Sequence, residues 1–155
     1  MGLDQYLSAK KWTSDTDFLG AERKVLHAKL KEAIGDATTH QSGNIKSISV
    51  EMEVCYWRKV NAVHQWFVDN CQGGNDNCQQ SYVSREKLEQ LLGGCKEVLA
   101  NRDKADQILP TASGFFFGST DYDEYYFYDI EDTVQQLETA LALDDTWDFY
   151  YQASW

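Results

Sequence analysis

Between Ser47 and Asn70 the apolar period of the chain changes from two to 3.6 with almost no loop between, and this change limits the fold more than any other feature. Ile48, Val50, Met52, Val54 and Tyr56 alternate against Ser47, Ser49, Glu51, Glu53 and Cys55, the pattern of a half-buried strand. From Tyr56 to Asn70 the spacing is helical. At 100° per residue, Trp57, Val60, Val63, His64, Phe67, Val68 and Cys71 share one stripe, with Asn61 at its edge and Arg58 beyond. Trp57 and Arg58 are therefore predicted at a strand-to-helix junction, a common place for the mouth of a site. His64 falls in the middle of the stripe, while Lys59 and Trp66 fall on the opposite face. A lone histidine on an apolar stripe is usually a satisfied core residue, and a single exposed tryptophan often packs under a loop. Both oddities on one helix also fit the wall of a binding pocket.

The remaining elements follow from the same patterning. Leu3, Gln5, Leu7 and Ala9 alternate with Asp4, Tyr6, Ser8 and Lys10 as a first strand. Val25, Leu26, Leu30 and Ile34 give a helix over Leu19 to Ile34, closed by Gly35. Asp36 to Asn44 reads as a polar loop, the natural place for mobility. Tyr82 and Val83 either pair briefly or only pack. Ser84 caps a helix carrying Leu88, Leu91, Leu92, Cys95, Val98 and Leu99, with Gly93 and Gly94 weakening or kinking it. A short helix over Asp103 to Leu109 stops at Pro110. At least two of Phe115, Phe116 and Phe117 should be buried. Thr120 with Asp123 fits a capping box opening a helix from Asp121 to Leu143, with Ile130, Val134, Leu137 and Leu141 inward. Trp147, Phe149, Tyr151, Ala153 and Trp155 form a last strand. The expected fold is α+β: a small, mostly antiparallel sheet that includes both terminal strands, packed with about four helices.

Composition narrows the function classes. The 155 residues suit a single globular domain, 1–155, and 43% hydrophobic with 14% aromatic residues is the make-up of a folded chain. There is no apolar run of about 18 residues and no basic-then-apolar leader, and Tyr6 stands where a myristoylation signal wants Ser or Thr, so a soluble, cytosolic protein is expected. Cys55, Cys71, Cys78 and Cys95 lack zinc-site spacing and disulfide density; they read as reduced thiols, with a clip between Cys71 and Cys78 as the one alternative. The net charge of −11 lies wholly in residues 105–155, which hold 11 acids and no base. Such a field disfavours nucleic acid and anionic membrane; it serves solubility or a basic partner protein.

Catalytic and cofactor-binding signatures are absent: there is no phosphate-binding glycine loop, nucleophile elbow or zinc-protease helix. His27, His40 and His64 lie on separate elements. A ligand pocket has better support. Arg58 and Lys59 offer anion donors, Asn61 an amide and His64 a ring nitrogen within two helical turns. Gly118, Ser119 and Thr120 add backbone N–H groups and hydroxyls before a helix, although Asp121, Asp123 and Glu124 there would repel a bare phosphate and suit an amine or ribose hydroxyls instead, or simply complement the helix dipole. Trp57, Trp66, Phe115 to Phe117, Tyr122 and Tyr125 could stack a base or equally form a protein-facing patch; Trp57, Phe116 and Tyr122 of these, with Ser113, complete the expected ligand-binding set.

The opening Met1-Gly2-Leu3-Asp4-Gln5-Tyr6-Leu7, the run Tyr56-Trp57-Arg58-Lys59-Val60-Asn61-Ala62-Val63-His64-Gln65-Trp66-Phe67 and the segment Ser113-Gly114-Phe115-Phe116-Phe117-Gly118-Ser119-Thr120-Asp121-Tyr122-Asp123 together resemble a group of small bacteriophage proteins of no established chemistry. The resemblance implies a product acting in the cytoplasm of a bacterial host, and by analogy a counter-defence role. The expected function is then binding and sequestration of a small nucleotide-like immune signal, without catalysis, metal or cofactor. The alternative is an acidic inhibitor presenting residues 121–148 to a basic host defence protein. A third possibility, an assembly factor, would form a stable homo-oligomer.

Overall fold

The computed structural model describes residues 2–35 and 45–155; the loop expected over Asp36 to Asn44, with its His40, lies outside the described residues. The elements run β1 (Asp4–Ser14), α1 (Ala21–Ile34), β2 (Ser47–Arg58), α2 (Asn61–Cys71), β3 (Ser81–Val83), α3 (Arg85–Ala100), α4 (Ala105–Ile108), α5 (Glu124–Leu141) and β4 (Asp148–Ser154), with single turns of 3₁₀ helix before α1 and α4. The strands form one antiparallel sheet in the order β2-β1-β4-β3, the α+β arrangement that the alternation implied. Both terminal strands are central in it. The short β3 pairs with β4, Ser81 opposite Tyr151 and Val83 opposite Phe149.

The chain divides into two compact units: residues up to Ala9 with Met52–Trp155, and Lys10–Glu51. In the smaller unit, α1 departs from expectation. Val25 and Ile34 are exposed, and its buried residue is His27, whose ring bridges the Thr13 hydroxyl (3.1 Å) and the Ile45 carbonyl (3.2 Å). The helix begins two residues later than predicted, because Gly20 takes a φ of +92° that ends the preceding 3₁₀ turn.

The larger unit holds the main core. Leu3 just before β1, Leu7 and Ala9 of β1, Cys55 and Trp57 of β2 and Phe149, Tyr151 and Ala153 of β4 are buried beneath Val63 and Phe67 of α2, Leu88, Leu91, Cys95 and Val98 of α3, and Ile130 and Leu137 of α5. Phe67 stacks on Tyr151 with centroids 3.9 Å apart. The Gly93-Gly94 pair leaves α3 continuous. The Arg85 guanidinium donates to the carbonyls of Leu141, Leu143 and Asp144, placing a cation on the carbonyl end of α5.

Two junctions differ from the sequence reading. β2 continues through Trp57 and Arg58, and α2 starts only at Asn61; the end of the strand turns Cys55 and Trp57 inward and leaves Met52 and Tyr56 exposed, the reverse of the face expected from the alternation. α5 starts at Glu124, capped by Asp123 rather than Thr120. The Asp123 carboxylate accepts from the amides of Tyr125 and Tyr126, both at 3.0 Å. The edge strand β2 is closed locally by Gln136 of α5, whose carboxamide pairs with both the N–H (2.7 Å) and C=O (3.0 Å) of Tyr56 as a neighbouring strand would.

Candidate functional site

The strand-to-helix junction is made of a strained residue. Lys59 has φ +60°, a left-handed conformation costing a side chain about 1–2 kcal/mol. Its N–H donates to Leu3 O at 2.7 Å, and Leu3 N–H in turn donates to Phe116 O at 3.2 Å. The N-terminal segment thereby ties the junction to the Phe-rich loop. Gly118 faces Lys59 from that loop. A Cβ at Gly118 would lie 3.3 Å from Lys59 Cβ, and its φ of +89° suits glycine.

Asn61 completes the tie. This side chain, 4% exposed, donates from Nδ2 to Phe117 O (3.1 Å) and Ser119 O (2.8 Å) and accepts from Ala112 N–H (3.0 Å). All three partners lie on the loop between α4 and α5. The carboxamide expected to read a ligand is therefore fully engaged in holding that loop.

Between the junction, this loop and the first turns of α5 lies a cleft of about 180 Å³, lined by Arg58, Lys59, Asn61, Thr111, Gly118, Ser119, Asp121, Asp123, Tyr125, Tyr126 and Asp129 among others. Most polar groups in its wall are already bonded. The Thr111 hydroxyl donates to Thr120 O, the Ser119 hydroxyl to Asp121, and the Tyr126 hydroxyl to Leu109 O. Asp123 caps α5. Arg58 is drawn toward Asp4 (3.8 Å) and the Tyr56 hydroxyl, whereas no described carboxylate lies within 4 Å of the Lys59 ammonium. The Asp129 carboxylate makes no ion pair or hydrogen bond among the described residues. Burial first, and then the charges of Asp132 and Asp123, push its carboxyl up to about 6. Cations and carboxylate thus share one cleft without neutralising each other.

Of the expected ligand-binding residues, Arg58, Lys59, Asn61, Gly118 and Ser119 line the cleft. The others are elsewhere. Trp57 is 2% exposed in the core and donates its ring N–H to Thr133 at 3.0 Å. Thr120 presents only its carbonyl, to Thr111, and the Tyr122 hydroxyl accepts from Thr111 N–H. Ser113 and Phe116 line a separate apolar hollow of about 240 Å³ with Phe115, Phe117 and Trp155. No phenylalanine of the triplet is fully buried, against expectation: Phe115 is 95% exposed, while Phe116 and Phe117 are half-buried, Phe117 edge-on to His64. Sequence reasoning left Thr111 and Asp129 out of the site. The readable signal was Tyr125 and Asp129 at i, i+4, one above the other on the first turns of α5.

His64 takes the bland role. It is 0% exposed, with Nδ1 2.8 Å from the Tyr151 hydroxyl and Nε2 3.0 Å from Asp76. The Tyr151 hydroxyl donates a hydrogen bond to Gln5 Oε1, and Gln5 Nε2 donates to Val60 O. Asp76 also accepts from the Trp155 ring N–H. This acid–imidazole–hydroxyl row has the order of a catalytic relay but is enclosed, and burial holds the Tyr151 hydroxyl well above its ordinary range. Burial likewise pushes the thiols of Cys55 and Cys95 up to about 12 and that of Cys71 up to about 11. Trp66 is half-buried, edge-on to Phe67, and lines a third hollow with Pro110.

The acidic third of the chain is partly neutralised. Arg102 lies against Glu124 (2.9 Å) and Glu131 (4.0 Å) and over the Phe127 ring, and Lys96 pairs with Glu138 at 2.6 Å. No group of three or more metal-ligating side chains occurs among the described residues, and no described helix is long and apolar enough to cross a membrane. Comparison with family models, curated proteins and solved structures finds no match to this chain.

Proposed function

We propose that this protein is a phage accessory protein that binds a small nucleotide-like molecule in the Lys59–Asp129 cleft and holds it unchanged, sequestering a host immune signal in the bacterial cytoplasm. One observation carries the binding reading: Arg58 and Lys59 line the same cleft as an unpartnered carboxylate, without ion-pairing to it. Such a cleft favours a ligand with an anionic group at one end and N–H or O–H donors at the other. A nucleotide has both, and Tyr125, 81% exposed, offers a ring on which its base can stack. A strained Lys59 is what a preorganised anion contact would require. The volume, about 180 Å³, is below the range of roughly 300–1,000 Å³ usual for drug-sized ligands, so one nucleotide unit is held and a larger ligand would extend into solvent. The phage assignment and the immune-signal role rest on the sequence resemblance.

Calorimetry against mononucleotides, cyclic dinucleotides and ADP-ribose tests the reading. At least one is expected to bind, unaltered on recovery, and to lose about tenfold or more in affinity in Lys59→Gly, which removes one charge-assisted contact. No binding across the panel would overturn it. The acidic-inhibitor alternative draws less support, since Glu124, Glu131 and Glu138 already face cations of the same chain.

A further inference from the structure

Building on the nucleotide-binding reading, we infer that Asp129 is the specificity-determining residue of the cleft and selects a guanine base through the two adjacent N–H donors of its edge. After internal hydrogen bonding, the α5 side of the cleft retains two side chains able to meet a base: the Tyr125 ring and the Asp129 carboxylate.

They are four residues apart on one helix, so the carboxylate lies one turn along from the ring on the same face. A base stacked on Tyr125 turns its edge toward Asp129. The phosphate end is then left to Arg58 and Lys59, which lie too far from Asp129 to pair with it.

An ionised carboxylate has two acceptor oxygens and no donor. Guanine answers both, with N1–H and the exocyclic N2–H. Hypoxanthine answers one. Adenine sets a ring lone pair beside its amine, and xanthine sets a carbonyl oxygen beside its N–H, so each pairs one oxygen and repels the other. Asp129 suits the task because its carboxylate is half-buried and unpartnered, whereas Asp132 on the same helix is engaged by Gln136 at 2.6 Å. A desolvated charged acceptor discriminates more strongly than an exposed one.

The full-length chain is titrated calorimetrically with the monophosphates of guanosine, inosine, adenosine and xanthosine, as wild type and as Asp129→Asn. Wild type is expected to bind the guanosine nucleotide about tenfold or more tightly than each of the other three. In Asp129→Asn the side chain has one acceptor and one donor, and the preference should pass to the xanthosine and adenosine nucleotides, whose edges each set an acceptor beside a donor. Tyr125→Ala should weaken all four together. Equal affinity for the four, still dependent on Lys59, would overturn the guanine assignment and leave nucleotide binding standing. Binding of a larger nucleotide with none of these four would do the same. If no nucleotide of any kind binds, both readings fall.

Discussion

Replacing Asn61 by alanine would remove the three hydrogen bonds that hold the loop between α4 and α5 against the start of α2. Each such bond contributes about 1 kcal/mol net, so the loss is about 3 kcal/mol if the loop stays in place with its carbonyls unsatisfied. The loop can also release. Residues 113–115 and 118–120 are exposed already, so water can replace the lost partners, and the cost then falls toward about 1.5 kcal/mol. At 2–4 °C per kcal/mol for a chain of this size, the melting temperature should drop by roughly 3–12 °C. The decisive readout is local: the Ala112 amide, protected by Asn61 Oδ1, should exchange with solvent much faster in the variant. Asn61→Asp separates the contributions, since it keeps the acceptor for Ala112 but turns a carboxylate oxygen toward the carbonyls of Phe117 and Ser119. That variant should retain Ala112 protection and still lose at least as much stability. Unchanged Ala112 exchange in Asn61→Ala, or a stability loss under about 0.5 kcal/mol, would refute the staple.

Further perturbations test other parts of the account. Lys59→Gly relieves a left-handed side-chain conformation worth about 1–2 kcal/mol while adding chain entropy worth about 0.5–1, so its urea midpoint should stay level or rise even as ligand affinity falls; a clear loss of stability would refute the strain. Asp129, raised from 3.8 to about 6 in the fold, favours the folded state below about pH 4, and that contribution is lost as pH rises through about 6. Asp129→Asn should therefore be more stable than wild type at pH 7, by about 1 kcal/mol after discounting for partial exposure, with no gain at pH 4; chemical denaturation at the two pH values checks it. Tyr151→Phe leaves Gln5 Oε1 and His64 Nδ1 without their partner in a buried row and should cost roughly 2–4 kcal/mol in urea denaturation. A cost below about 1 would mean the row does not stabilise the core as drawn.

The sheet was legible because its strands carry strict alternation: Leu3, Gln5, Leu7 and Ala9 face inward, as do Phe149, Tyr151 and Ala153. Where α2 begins was not legible, because Trp57 satisfies both periods, inward on a strand and on the stripe of a helix. The start of α5 was misread for a related reason. Thr120 and Asp123 both fit a cap, and only the fold shows the carboxylate of Asp123 on the amides of Tyr125 and Tyr126. The site was half legible. Arg58, Lys59, Gly118 and Ser119 could be picked out by residue type, and the cleft does contain them. The roles of Asn61 and His64 could not, since their partners lie 51 to 58 and 12 to 87 residues away, and local pattern carries no such information. Asp129 was readable only as the i, i+4 neighbour of Tyr125; its place in the cleft, half-buried beside Asp132, needed the fold.

The account turns on whether the cleft between the Lys59 junction and α5 takes a nucleotide. The most direct measurement is a titration of isotope-labelled protein with guanosine monophosphate, followed through backbone amide shifts. The account predicts saturable shifts concentrated at Lys59, Thr111, Gly118, Ser119, Tyr125 and Asp129, and strongly reduced in Lys59→Gly. Absence of shifts at millimolar ligand, or shifts confined to Ser113–Phe117 and Trp155, would contradict it.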